Sequence, residues 1–390
     1  MKRIQQILFL ALLTLTAIPA LAQFAEVRGF VYDKKTGEPI IFTKVFLEGT
    51  SNGNASDVNG FYNLSKINPG SYILSSTGVG FDTVKIRITL KPGGRITQNI
   101  YLTQKSVNIN TVDITADKTE NLTETKVSVA KVTPKQINRI PSVGGEPDLA
   151  QYLQILPGVV FTGDQGGQLY IRGGSPIQNK VLLDGMIVYN PFHSIGLFSV
   201  FETDLINTTD VYSAGFGAEY GGRISAVVDV KTRDGDRNRL RGKLGMNTFS
   251  SKVLLEGPLQ KFKAGEGNSS FAISYRNSYL KHSSKIFYPY ANPSKLPYTF
   301  GDLFIKFSSN SSTGGYTKLY AFNYTDNVDF PNSTSYGWQS IGFGGKFLVV
   351  PEQAKTRVDG YFLYSDYGIK QIETKGDPRS SSIGGFNLGM

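Results

Sequence analysis

The feature that most constrains the fold is the alternation of apolar and polar side chains in the second half of the chain. It is clearest in Ser270 to Arg276 and in Lys318 to Tyr324, where many of the apolar residues are Phe or Tyr. Because successive side chains of a β-strand point to opposite faces, such a segment has one apolar and one more polar face. Strands of this kind are typical of outer-membrane barrels, whose apolar face meets lipid. The sequence therefore predicts a transmembrane antiparallel barrel sheet between residues 233 and 390.

The connections of this sheet are also marked in the sequence. Two of them, 280–300 and 327–338, are rich in aromatic residues and proline, and we expect these long connections to face the outside of the cell. Gly257-Pro258 and residues 310–315 are expected to form short turns on the periplasmic side.

The N-terminus has the organisation of a secretory signal peptide. Lys2 and Arg3 precede an apolar run from Ile7 to Ile18, and Ala20-Leu-Ala22 supplies small residues for cleavage. The run is too short to span a bilayer stably. We expect residues 1–22 to be removed on export; an uncleaved membrane anchor is the alternative.

Composition excludes several classes of protein. The chain contains no cysteine, which rules out disulfides, thiolate metal sites and lipid attachment through cysteine. A net charge of +10 would suit nucleic acid, but the basic residues are scattered and no RNA-binding signature is present, so we expect no nucleic-acid partner. Beyond the N-terminus no apolar run is long enough for a membrane helix. No catalytic triad, metal cluster or pair of carboxylates stands out, so we expect neither an enzyme nor a bound cofactor.

Residues 24–105 predict a small β-sandwich. Short strand patterns are separated by turn dipeptides such as Thr36-Gly37 and Pro69-Gly70, and the alternation from Val84 to Leu90 is strict. About seven short strands in a segment of this length indicate an immunoglobulin-like sandwich. The clearest strands are expected at 27–33, 44–48, 60–64, 71–76 and 83–90.

This segment resembles the carboxypeptidase regulatory-like, or prealbumin-like, domain. The resemblance is carried by Gly29 to Asp33, Thr36 to Pro39, Val45 to Thr50, Asp57 to Tyr62 and Gly70 to Tyr72. It implies no peptidase. Zinc carboxypeptidases need a His-x-x-Glu pair, and neither His193 nor His282 has Glu at the third position after it.

Residues 126–232 combine short β-type runs with glycine turns. We expect helices at 135–139 and 148–156, a helical piece near 198–206, and strands at 168–172, 179–184 and 225–231. The segment resembles the plug domain of TonB-dependent receptors, an α+β domain. The matching stretches occur in the family's order: Leu153 to Val159, Ile171 to Gly173, Val181 to Met186, Tyr220-Gly221 and Ile224 to Thr232.

The resemblance implies that this segment fills the lumen of a barrel. Its motif residues are Arg172, Gly173, Gly174, Asp184, Gly185, Tyr220, Gly221 and Arg223. Enclosed charges need partners, so we expect Arg172, Asp184, Glu219 and Arg223 to form salt bridges with the barrel rather than contact a ligand. In the family, plug loops meet the ligand, and the corresponding residues here are Gln178, Asn179, Tyr189, Asn190 and His193.

Residues 106–125 are rich in polar side chains and predict a linker. It contains one short β-prone run made of Val112, Asp113, Ile114, Thr115 and Ala116. In TonB-dependent receptors a run at this place is the TonB box, which the inner-membrane protein TonB pairs with by strand addition. The last strand of the sandwich, or plain linker, is the alternative interpretation.

Taken together, the sequence predicts a mainly β protein of the cell outer membrane. Plugged barrels have 22 strands, about ten residues each, whereas residues 239–390 hold about eight, so we expect the N-terminal part of a longer receptor. The expected function is import of an external siderophore, glycan or peptide by plug displacement driven by proton-motive force. A signal-transducing receptor and a surface binding or adhesion module are the alternatives.

The expected partners follow from the same resemblance. They are the TonB complex of the inner membrane, outer-membrane lipid, the imported ligand and, as in glycan importers of Bacteroidetes, a surface lipoprotein. The plug and the N-terminal domain are expected to face the periplasm.

Overall fold

A computed structural model of the chain describes residues 24–57, 60–105, 129–142, 146–162, 168–263, 265–290, 296–312, 314–330, 334–351, 358–373 and 377–390. The predicted signal peptide, 1–22, and the predicted TonB box, 112–116, lie outside the described residues. The chain divides into two compact units, residues 1–35 with 39–107 and residues 36–38 with 108–390.

The first unit consists of two small sheets. In one, the long strand β1 is antiparallel to β4 and parallel to β7 and β8; in the other the order is β3-β2-β5-β6. The strands are β1 (Ala25–Asp33), β2 (Lys44–Leu47), β3 (Gly53–Ala55), β4 (Phe61–Ile67), β5 (Gly70–Thr77), β6 (Val84–Leu90), β7 (Arg95–Thr97) and β8 (Ile100–Leu102). The five predicted strands are all present, and β6 alternates between more buried and more exposed residues as predicted.

An apolar core fills this sandwich. Val27, Val45, Leu47, Ile67 and Leu74 are all fully buried in it. The buried hydroxyl of Tyr62 donates a hydrogen bond of 2.6 Å to the carbonyl oxygen of Gln98, so this polar group is satisfied inside the core.

The second unit begins with the plug segment, residues 129–232. Its strands form one five-stranded sheet, in the order β13-β12-β15-β14-β9, and a separate hairpin of β10 and β11. They are β9 (Val129–Val132), β10 (Val159–Thr162), β11 (Gln168–Ile171), β12 (Lys180–Leu183), β13 (Met186–Ile187), β14 (Ile206–Tyr212) and β15 (Val227–Thr232), with helices α1 (Pro134–Ile137) and α2 (Leu149–Leu153).

One prediction for the plug segment is wrong. Residues 198–206 were expected to be helical, but only Thr203–Leu205 form a single 3-10 turn, and β14 follows directly. β14 is rich in β-branched residues and lies between β15 and β9 in the sheet. Such residues favour strands, and pairing on both sides overrides the weak helical pattern before them.

Residues 241–389 form a sheet of eight antiparallel strands, which we call the wall sheet. Each strand pairs with the next in the chain. The strands are β16 (Arg241–Met246), β17 (Ser250–Gln260), β18 (Asn268–Ser278), β19 (Tyr298–Asn310), β20 (Tyr316–Asp329), β21 (Ser335–Val349), β22 (Val358–Ile372) and β23 (Arg379–Gly389). Helix α3 (Leu280–Phe287) lies between β18 and β19.

Two predicted connections of the wall sheet differ from the structure. Gly257 and Pro258 lie inside β17, where the register shifts just after Pro258. Proline has no N–H for the ladder, and strands tolerate it at such irregular positions. The predicted connection 327–338 is shorter, because β20 continues to Asp329 and β21 starts at Ser335.

The two faces of the wall sheet differ in the way that the alternation predicts. In β18, Ser274 and Arg276 are buried and point toward the plug segment, whereas Ile273 and Tyr275 are exposed on the other face. Apolar outer side chains with polar inner ones are typical of membrane barrels. Within the described residues no helix has both the length and the hydrophobicity needed to cross a bilayer.

Candidate functional site

A cavity of about 610 Å³ lies between the plug segment and the inner face of β21 to β23. Four of the side chains that line it are aromatic: Tyr189 and Phe192 from the plug segment, and Trp338 and Tyr367 from the wall sheet. The rings of Tyr189 and Tyr367 have centroids 6.3 Å apart. The volume lies within the range of about 300–1,000 Å³ that is usual for small-molecule sites.

Polar groups on the plug side of this cavity come from β12 and from the turns near it. The side-chain amide of Asn179 donates a hydrogen bond of 2.6 Å to the carbonyl oxygen of Leu169. The side-chain oxygen of Asn179 is buried and has no hydrogen-bond partner in the described part of the chain. Lys180 donates a hydrogen bond of 2.9 Å to the carbonyl oxygen of Gly221, and Arg223 donates one of the same length to the carbonyl oxygen of Gly222. Two cations, Lys180 and Arg223, therefore line the cavity.

Two tight turns position these residues. Asp184 and Gly185, with φ of 50° and 95°, form the two-residue loop between β12 and β13, as a type I′ hairpin requires. The second turn follows β11, where a Cβ at Gly174 would clash with the side chain of Ser225. Glycine at 174 therefore lets the segment before β12 pack against the segment before β15.

Beneath the cavity, a buried group that we call the histidine cluster joins the plug segment to the wall sheet. His193 lies between Asp302, at 3.0 Å from Nε2, and Asp326, at 3.4 Å from Nδ1. Arg276 pairs with Asp302 at 2.6 Å and lies 3.7 Å from Asp148 of the plug segment. The imidazole also stacks on Phe300, with centroids 4.0 Å apart.

The charge of His193 follows from this setting. Burial lowers the pKa of His193, but the charges and hydrogen bonds of Asp302 and Asp326 outweigh burial and raise the pKa to about 9. The imidazole is therefore a cation at neutral pH, held between two carboxylates. Burial raises the pKa of Asp148, although this carboxyl accepts hydrogen bonds from Ala150 and Ser199.

A second buried group, the Asp234 cluster, lies where the plug segment leads into the wall sheet. Asp234 contacts Arg237 at 2.6 Å, Lys318 at 3.3 Å and Lys306 at 3.6 Å. The ammonium group of Lys306 also donates a hydrogen bond of 2.8 Å to the hydroxyl oxygen of Thr232, and it lies 3.5 Å from the carboxylate of Asp184. Burial raises the pKa of Asp234, but the three nearby cations hold this pKa well below its usual value.

A third group, the Lys252 cluster, repeats the arrangement further along the interface. Lys252 of β17 reaches Glu202 at 2.8 Å and Asp204 at 3.2 Å, and it also pairs with Glu146. Lys243 of β16 binds Asp204 at 2.7 Å. Charges of the wall sheet thus pair with opposite charges of the plug segment at three places.

Comparison with protein families decides the identity. Residues 27–114 match the family model of the CarboxypepD_reg-like domain, and residues 121–228 match that of the TonB-dependent Receptor Plug Domain. The chain therefore carries the plug domain of the TonB-dependent receptors.

Two curated relatives are named TonB-dependent receptors. TonB-dependent receptor P3 of Formosa agariphila is 25% identical over 288 residues, which is 72% of this chain and 27% of that receptor. TonB-dependent receptor SusC of Bacteroides thetaiotaomicron is 26% identical over 229 residues, 56% of this chain and 22% of that receptor. The chain spans about a quarter of the length of these relatives.

Among solved structures, the copper transporter OprC is similar, with a TM-score of 0.47 and 12% identity. The similarity covers 67% of this receptor chain and 43% of that one.

The charged residues of the predicted plug motif differ in their contacts. Asp184 has the expected partner on the wall sheet, Lys306. Arg172 and Glu219 are exposed and form no ion pair with the described residues, and Arg223 faces the cavity instead. For these three residues the salt bridge to the barrel stays a prediction.

Only some of the predicted ligand-facing residues line the cavity. Asn179, Tyr189 and Asn190 line the cavity. Gln178 turns back and accepts a hydrogen bond of 2.9 Å from the backbone of Ser175. His193 is buried in the histidine cluster, because two wall carboxylates hold it there.

Sequence reasoning missed the wall residues of all three clusters and of the cavity. A signal for the clusters existed, since Arg276 and Lys306 fall on the polar face of their strands.

Proposed function

We propose that this receptor imports an external ligand that binds in the cavity between the plug segment and the wall sheet. The observation that carries the proposal is that both parts supply side chains to one cavity, such as Tyr189 and Tyr367. A ligand bound there contacts both parts, so movement of the plug changes its binding site.

The cavity is proposed to open toward the outside of the cell. Trp338 lies near the start of β21, at the same end of the sheet as the long connection that contains α3. Outer-membrane barrels place their longer connections outside and their short turns in the periplasm. On this basis the first unit and the linker face the periplasm, where inner-membrane TonB is reached.

Transport is proposed to begin when TonB pairs with residues 112–116 and pulls on the plug. The three charge clusters resist this pull, because each must separate buried opposite charges. Once water enters, the separated charges are hydrated, so the clusters can break and re-form in each cycle. Energy from the proton-motive force is the proposed source of the work.

Deletion of residues 112–116 tests the proposal. In cells that express the receptor, we expect the deletion to abolish ligand uptake while ligand binding at the cell surface is kept. A Trp338→Ala variant is the matched control, since it should weaken surface binding itself by removing a cavity side chain. Unchanged uptake in the deletion variant would sink the assignment of the TonB box, and binding without any uptake in the unaltered receptor would favour a sensor.

A further inference from the structure

The charge of the cavity lining sets it apart from the rest of the interface. Lys180 and Arg223 both line the cavity, and no Asp or Glu does so among the described residues. Lys231 of the plug segment, by contrast, pairs with Asp210 at 2.7 Å. The cavity therefore holds positive charge that the described part of the protein does not neutralise.

The geometry keeps the two cations together. Lys180 and Arg223 donate to the neighbouring carbonyls of Gly221 and Gly222, so one turn anchors both side chains. Burial, together with the charge of Arg223, lowers the pKa of Lys180. An ammonium has three N–H donors and a guanidinium five, so most of the donors are left for a ligand. A bound anion would offset the repulsion between the two cations.

The other lining groups point to more than a bare anion. Asn179 also lines the cavity, and its side-chain amide is held by a hydrogen bond to the carbonyl oxygen of Leu169. The rings of Tyr189, Trp338 and Tyr367 present apolar faces beside polar groups. A pyranose ring has the same combination, with C–H groups on its faces and hydroxyls around its edge.

We propose that the cavity binds an acidic oligosaccharide. Its carboxylate or sulfate group is held by Lys180 and Arg223, and a sugar face packs on the aromatic rings. This inference rests on the proposed function, because it names the ligand class of the same cavity. A neutral sugar would leave the two cations without a counter-charge and should bind more weakly.

The experiment uses the single tryptophan of the chain, Trp338, as a fluorescent reporter inside the cavity. The full chain in detergent micelles is titrated with a galacturonic acid tetramer, a chondroitin sulfate tetrasaccharide and the carboxyl-reduced, neutral form of the first. We expect at least one acidic sugar to bind about tenfold more tightly than the neutral one, with an affinity that falls as salt rises.

Matched variants assign the effect to the two cations. The double variant Lys180→Gln/Arg223→Gln should lose the preference for the acidic sugar. Lys135→Gln/Arg139→Gln removes the same charges from exposed positions of the plug segment and should keep the preference. The swap Lys180→Arg/Arg223→Lys retains both charges and should largely keep it, which separates charge from folding.

The outcomes distinguish this inference from the proposed function. Equal binding of acidic and neutral sugars, or no response of Trp338 to either acidic sugar, overturns the inference while the uptake experiment decides the function. Loss of uptake dependence on residues 112–116 with acidic binding intact would overturn the function and leave the ligand class standing.

Discussion

The sandwich and the interior of the wall sheet are built on different chemistry. The sandwich core consists of apolar side chains such as Val45 and Leu74, and its buried charged residues are few among those described. The interface between plug and wall has apolar contacts too, but it adds buried charges on both sides, including His193, Asp302 and Lys306.

This difference suits two kinds of mechanical role. Apolar cores pack closely and are stabilised mainly because their side chains are removed from water. Opening any part of such a core exposes apolar surface to water and therefore costs free energy. Buried ion pairs gain little net stability because desolvation offsets attraction, yet removing one partner alone is strongly destabilising. An interface with paired charges is therefore specific when closed and can be hydrated when opened, as the proposed displacement of the plug requires.

The largest effect is expected from Asp234→Ala. The variant leaves Arg237, Lys306 and Lys318 without their shared carboxylate, and breaking such a buried group costs about 3–5 kcal/mol. Urea unfolding followed by Trp338 fluorescence should show the loss. Asp377→Ala removes an exposed carboxylate and should change little. Equal stability of the Asp234 variant would mean that this buried carboxylate does not stabilise the junction between the plug segment and the wall sheet.

A smaller, pH-dependent effect is expected from His193. Its folded pKa of about 9 exceeds the unfolded value of about 6.5, so its contribution is fully present below pH 6.5 and is lost as pH rises through 9. The loss should reach about 3 kcal/mol at most. Asp302, Asp326 and Arg276 are the charged groups that contact the ring.

Protease resistance of the plug segment, measured from pH 6 to pH 9.5, checks this expectation. Resistance should fall across that window in the unaltered chain, whereas His193→Gln should show low resistance throughout and a flatter profile. A fall of the same size in the His193→Gln chain would assign the pH dependence to another group.

The sequence predicted the architecture better than the site because periodicity is local. The alternation in β6 and β18 is set by neighbouring residues, and it identified strands and their buried faces. It could not separate a turn from a strand at Gly257-Pro258, where only the pairing with β18 shows that the ladder continues through the irregular position.

The cavity depends on contacts between distant residues. Asn179, Tyr189 and Asn190 were predicted as ligand-facing, and that role stays a prediction, although all three line the cavity. Trp338 and Tyr367 were missed because the local sequence of neither segment predicts which wall strands pack beside the plug. His193 was misplaced for the same reason, since its wall partners Asp302 and Asp326 lie more than a hundred residues away.

The smallest effect is expected on the apolar side of the comparison. Ile67 is fully buried in the sandwich, and Ile67→Val removes one methylene, which should cost about 1 kcal/mol. Hydrogen exchange of the β1 and β4 amides should report this loss, while the urea transition seen by Trp338 should not move, because that residue lies in the other unit. Ser71→Ala, an exposed change in the same sandwich, is the control. A shift of both transitions by Ile67→Val would show that the two units unfold together, and the apolar and charged interiors would then have to be treated as one cooperative structure.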